Sequence, residues 1–206
     1  MTATKEQMRL WDRWFVRSKR PFITFMREFA ERPVVYVEIG CWAGASANWA
    51  ARRILTEPRS IGVGIDPYLP NHRHDAVEML NVKRCAAERL SEAIGKRWTW
   101  MYEPSMSALP KLRSVIGRRR VDALYIDGVH EMEYVLTDFL LAWQYLRTGS
   151  IVIFDDYTPV KEAESGSPCA AAAFHALLAA FRGRVQEVYT PYPEKPQRAL
   201  IVTAYE

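Results

Sequence analysis

Cysteine is scarce in this chain of 206 residues: Cys41, Cys85 and Cys169 stand far apart and form no C-x-x-C pair. Neither a disulfide framework nor a zinc site has the material it needs, and a reducing cytoplasm suits such a composition. Long apolar runs are missing too. No segment approaches the length that crosses a bilayer, and the N-terminus lacks the charged stretch and apolar core of a secretory signal, so neither a membrane partner nor export is expected. Runs of one charge are equally rare. The net charge is +4, and the one dense basic run is Arg118-Arg119-Arg120. Without a groove-reading motif or interleaved aromatics this run reads as a solvated rim, which argues against a nucleic-acid partner. Internal repeats and linkers are absent, and a composition 49% hydrophobic and 25% charged suits a single domain with one buried core.

What is present concentrates in residues 120–157. Two apolar runs, VDALYI and SIVIF, each end in acid: Asp127-Gly128-Val129-His130 and Asp155-Asp156. Between them Met132, Val135, Leu136, Phe139, Leu140, Trp143 and Leu146 recur at the spacing of a helix that buries one face. A crossover helix makes the two strands parallel neighbours, so both acidic ends emerge at one carboxyl edge, where open α/β folds bind ligands.

The rest of the chain repeats that unit. Residues 4–32 form an aromatic-rich helical cap in two pieces, the second starting at Pro21, which packs on the sheet or a partner subunit, or serves as a substrate lid. Strands follow at 34–39, 61–65 and 98–102, with helices from the 40–46 turn to about Leu55, at 74–94 and after Ser105. Pro168 opens an alanine-rich helix. Runs at 185–190 and 199–203 are joined by a connection too short for a crossover helix, so this last pair is antiparallel. The expectation is a three-layer α/β sandwich: a mostly parallel seven-stranded sheet closed by a C-terminal antiparallel hairpin, with residues 33–206 as one domain behind the 1–32 cap.

Ligand loops follow such strands. Glu38-x-Gly40-x-x-x-Gly44-x-Ser46 places glycines where a strand turns into a helix, so that a ligand can approach backbone N–H groups. It is not the G-x-G-x-x-G that seats a dinucleotide pyrophosphate. Asp66, ending the second strand, can accept hydrogen bonds from ribose hydroxyls, or else shapes its turn. Tyr68, His72, His74, Tyr157, Lys161 and Tyr192 fall on the same edge as candidate lining for an acceptor pocket.

Glycine turn, Asp66, Glu103-Pro104-Ser105, YIDGVH and IVIFDDY in this order resemble a class I S-adenosylmethionine-dependent methyltransferase of the methyltransferase-24 type, related to metal-dependent catechol and sugar O-methyltransferases. The resemblance implies a Rossmann-like methyltransferase fold. It implies that Glu38 and Gly40 hold the amino-acid end of S-adenosyl-L-methionine with Gly44, Ser46 and Asp127 nearby. It also implies that Asp66 binds the ribose and that Ser105 and Met106 meet the adenine, although Glu103-Pro104 replaces the usual Gly-Asp. A divalent cation, Mg²⁺ or else Mn²⁺ or Ca²⁺, would lie on Asp127, Asp155 and Asp156. His130 falls where the catechol enzymes carry a general base, and an imidazole suits that task near neutrality. The expected reaction moves a methyl group to a hydroxyl of a sugar or polyhydroxylated small molecule. A metal-independent or N-directed enzyme, a non-catalytic cofactor-binding module, and a homo-oligomer remain open.

Overall fold

Branched and aromatic side chains that lose freedom in a helix fit a pleated strand, and runs rich in them form the centre of the computed structural model, which describes residues 4–158, 169–192 and 196–205. Five parallel strands are β1 (Val35–Ile39), β2 (Ile61–Ile65), β3 (Trp98–Met101), β4 (Ala123–Ile126) and β5 (Ile151–Phe154). β7 (Arg198–Val202) inserts between β5 and β6 (Val185–Glu187), antiparallel to both, giving the order β3-β2-β1-β4-β5-β7-β6. The expected sandwich is therefore present. Strand order reverses between β1 and β4, and the crevice that opens at the carboxyl ends of such neighbours is the natural ligand position.

Helices cover both faces. Val35, Val37 and Ile39 pack toward α4 (Ser105–Ala108), α5 (Leu112–Ile116), α6 (Met132–Trp143) and α7 (Ala170–Ala180). Tyr36 packs the other way, toward α1 (Lys5–Met26), α2 (Ala45–Arg53) and α3 (Ala76–Ile94). Burial on both faces explains why these strands read as continuous apolar runs. No described helix is long and apolar enough to cross a membrane.

The N-terminal region differs from its expected form. α1 is one helix with Pro21 inside it, followed by a 3₁₀ turn at Arg27–Phe29, where two pieces split at Pro21 were expected. Proline removes one hydrogen bond from a helix interior, but here Phe22, Phe25 and Met26 bury almost completely just beyond it. Phe22 meets Tyr125 edge-on at 5.0 Å and Trp49 at 5.7 Å, and that packing offsets the lost bond. Of the loop expected after β5, only Tyr157 and Thr158 fall within the described residues; Lys161 and Pro168 lie outside them.

Candidate active site at the carboxyl edge

Residues 40–44 carry the chain from β1 into α2 through three positive φ angles: Gly40 at 81°, Trp42 at 45° and Gly44 at 75°. Gly40 is required by space as well as by angle. A Cβ there would sit 2.0 Å from the carbonyl oxygen of Asp127 and 2.7 Å from the Cα of Gly128. Only a glycine lets the turn after β1 touch the turn after β4. Asp66 stitches the turn to the β2 loop: one carboxylate oxygen accepts from the Trp42 N–H at 3.0 Å, the other from the Tyr68 N–H at 2.9 Å. The Tyr68 hydroxyl donates back to the Trp42 carbonyl at 2.9 Å. Burial raises the Asp66 carboxyl above its ordinary range, although these backbone donors oppose the rise. Each oxygen keeps capacity for a further donor, such as a ribose hydroxyl.

Glu38 lies beneath this turn, fully buried. Its two oxygens accept from the Ser46 and Tyr36 hydroxyls, each at 2.5 Å. Burial pushes its pKa up to about 7 even against those bonds. The Glu38–Ser46 bond joins β1 to α2 under the loop.

On the other side of the crevice, Ile126 pairs with Phe154, so Asp127 and Asp155 leave the sheet as neighbours. They do not act alike. The ligand atoms of Asp127, His130 and Asp156 lie within 4.8 Å of one another. The His130 Nε2 is 2.9 Å from the Asp156 carboxylate. Asp155 turns inward: its Oδ1 accepts from the Ser18 hydroxyl of α1 at 3.1 Å and the Asp156 N–H at 2.9 Å, and its Oδ2 from the Tyr125 hydroxyl at 2.5 Å. Successive residues of extended chain point to opposite sides, and Asp156, with φ at 51°, completes the divergence. Gln197 supports Tyr125 from β7's end at 3.0 Å.

The electrostatics follow from this crowding. Burial, then the charges of Asp155, Asp156 and Glu38, push the Asp127 carboxyl well above the usual range. Burial also raises Asp155. For His130, desolvation pulls the pKa down, but the bond to Asp156 and the charges of Asp156, Asp155 and Glu131 outweigh it and leave the imidazole above its ordinary value. Three acids beside one imidazole form a site that favours cations.

The expected adenine side is less complete. Ser105 heads α4 half-buried, and Met106 is 56% exposed. Glu103 is drawn away into an ion pair with Lys111 at 2.5 Å. Asp138 of α6, buried nearby, has its pKa pushed up to about 6 by desolvation against a hydrogen bond from Ser105. Among the candidate acceptor residues, the Tyr157 hydroxyl meets His175 Nε2 at 2.9 Å, and His74 packs on Trp42 at 4.7 Å between ring centres. His72 is exposed and Tyr192 half-buried.

Several participants carried no expectation from sequence. Tyr125 had a signal, since it stands two residues before Asp127 and thus on the same strand face. Tyr36 had the same signal, two residues before Glu38 on β1, whereas Ser18 and Gln197 had none: each is ordinary in its own segment and meets the site only through the tertiary fold.

A family described as methyltransferase domain matches residues 37–157, more than half of the chain. The chain belongs to that family, and its sheet and helices form the Rossmann-like methyltransferase fold. Among curated proteins it is similar to the uncharacterized protein R132 of Acanthamoeba polyphaga mimivirus, 28% identical over 133 residues. That match takes in 63% of this chain and only 54% of the viral protein, so the chain corresponds to about half of that relative's length. Among solved structures it is similar in fold to the O-methyltransferase TomG of Streptomyces achromogenes, involved in tomaymycin synthesis and solved with S-adenosylmethionine. The TM-score is 0.66 at 22% identity, over 92% of this chain and 80% of TomG. It is similar also to CalS11, a TDP-rhamnose 3′-O-methyltransferase of calicheamicin biosynthesis, with TM-score 0.67 and 14% identity over 98% of this chain and 88% of CalS11.

Proposed function

We propose that this chain is an S-adenosylmethionine-dependent methyltransferase that acts on a hydroxyl of a sugar or other polyhydroxylated small molecule, with a divalent cation at the Asp127–Asp156 edge. The observation that carries this reading is the backbone contact between Gly40 and the Asp127 turn. It brings the glycine turn against the turn that carries Asp127, whose ligand atom lies within 4.8 Å of those of His130 and Asp156. Sulfonium methyl donors are already activated, so the protein's tasks are alignment, exclusion of water and removal of the hydroxyl proton. In this reading the turn amides and Asp66 hold the cofactor, with Ser105 and Met106 against its adenine. Glu38, Gly40, Gly44 and Ser46 shape the turn, and His130 takes the proton. The carboxylate oxygens of Asp127 and Asp156 fit Mg²⁺, Mn²⁺ or Ca²⁺. Such a cation would lower the acceptor hydroxyl's pKa and engage two adjacent oxygens. Asp127 and Asp156 would hold it. Asp155, with both oxygens already bonded, would contribute charge and position more readily than direct ligation. CalS11 and TomG, which share the fold, support an O-directed reaction, and CalS11 supports a sugar.

A second reading keeps the enzyme and drops the metal. The 2.9 Å contact between His130 and Asp156 is also the arrangement of a base oriented by a carboxylate. Labelled methyl transfer from S-adenosylmethionine across catechols, sugars and nucleotide sugars, with Mg²⁺ and with EDTA, separates the two. Transfer to vicinal diols that EDTA abolishes and Mg²⁺ restores is expected. Unchanged turnover in EDTA would leave the metal-free pair, and transfer to amines alone would overturn the hydroxyl assignment.

A further inference from the structure

The helix α1 precedes the segment matched to the methyltransferase family, which starts at residue 37, yet it reaches the cofactor turn. Arg89 of α3 donates from Nη1 to Asp12 Oδ1 at 2.7 Å and from Nη2 to Asp12 Oδ2 at 3.2 Å. The same Nη1 donates to the Ala43 carbonyl at 3.1 Å. Trp11, next to Asp12, is buried against a cluster that includes Ala43 and Tyr68. Ala43 lies between Trp42 and Gly44, both at positive φ. A backbone bent this way keeps its shape only when its surroundings determine it. Three side chains do so here: Asp66 on the Trp42 N–H, Tyr68 on the Trp42 carbonyl, and Arg89 on the Ala43 carbonyl. The third depends on α1, because Asp12 fixes the plane of the guanidinium.

We propose that Asp12 and Arg89 are positioning residues for the cofactor: their fork clamps the Ala43 carbonyl, holds the turn's amides in binding shape, and makes the N-terminal helix part of the S-adenosylmethionine site. This rests on residues 40–46 being the cofactor turn. The helix is anchored independently further along, by Ser18 on Asp155 and by the buried Phe22 and Met26. Loss of the Asp12 contact therefore loosens the turn without releasing the helix.

Calorimetry with S-adenosylhomocysteine on the full chain tests this. Asp12→Ala and Arg89→Met each weaken binding by about tenfold, the scale of one charged hydrogen-bond contact, while thermal unfolding moves little. Asp12→Glu recovers most of the affinity. Arg89→Lys does not, because an ammonium cannot hold two carboxylate oxygens and a carbonyl in one planar fork. Wild-type affinity in Asp12→Ala, or a lysine at 89 as good as arginine, would overturn the clamp. If Gly40→Ala abolishes binding while Asp12→Ala does not, the clamp fails alone. If Gly40→Ala also leaves binding intact, the assignment of the turn fails, and the clamp with it.

Discussion

His130 is where local chemistry and proposed role meet most directly. Its Nε2 lies 2.9 Å from the Asp156 carboxylate, and that bond with the neighbouring acids raises its pKa above the ordinary value; a base must be in its neutral form. The rate is expected to rise with pH through an apparent pKa above about 6.5. A cation between Asp127 and Asp156 would compensate the acids and shift that pKa downward. His130→Ala should lower turnover by roughly two to three orders of magnitude while leaving S-adenosylhomocysteine affinity nearly intact, measured by single-turnover kinetics beside calorimetry. Cofactor binding lost together with turnover would make His130 structural. Asp155 and Asp156 show the same dependence on surroundings: identical side chains, adjacent in sequence, one held inward by Ser18 and Tyr125 and the other facing the crevice.

Among the elements, the turn from β1 into α2 is the most constrained. Gly40 combines φ of 81° with a backbone carbonyl 2.0 Å from where a Cβ would stand. Gly117, at φ of 61°, has nothing within 4 Å. The two glycines therefore separate backbone strain from collision. Gly117→Ala should cost about 1 kcal/mol, the penalty of the angle alone. Gly40→Ala should cost clearly more and abolish cofactor binding, because the β1 and β4 turns must move apart. Equal losses in denaturant titrations would show that the close approach carries no energetic weight. The helix α1 is constrained differently. Of its aromatics Trp11, Phe22 and Phe25 are buried while Trp14 is 65% exposed; Pro21 argued for a break, and only the packing of Phe22 and Met26 against the sheet settles that the helix continues.

Across the whole molecule, the carboxyl edge gathers acids whose folded pKa values are raised, and this sets how stability varies with pH. Glu38 stands at about 7 against an ordinary 4.5. Between those values the folded chain holds a proton that the unfolded chain releases, so stability is greatest below the lower pKa and falls as pH rises through the higher one. Glu38's share is on the order of 3 kcal/mol, and Asp66, Asp127, Asp138 and Asp155 act in the same direction. Glu38→Gln keeps an acceptor for Ser46 or Tyr36 and removes the titration. Urea unfolding at about pH 5 and about pH 8 should therefore give a smaller difference for the variant than for the wild type; an unchanged difference would refute the assignment. Much of this architecture was readable in advance. Strand and helix periodicities are local, and the rule that parallel crossovers bring strand ends to one edge carried Asp66, Asp127 and Asp155-Asp156 to the same crevice. Sequence by itself thus determined the layer order, the glycine turn after β1 and which acids could meet, because those depend on neighbours within a few residues and on chain connectivity. Tertiary structure alone decided that Asp155 faces Ser18, that Gln197 reaches Tyr125, and that Asp12 reaches Arg89. Side-chain direction at a strand end is set by which distant donors arrive there, and those contacts join residues tens of positions apart.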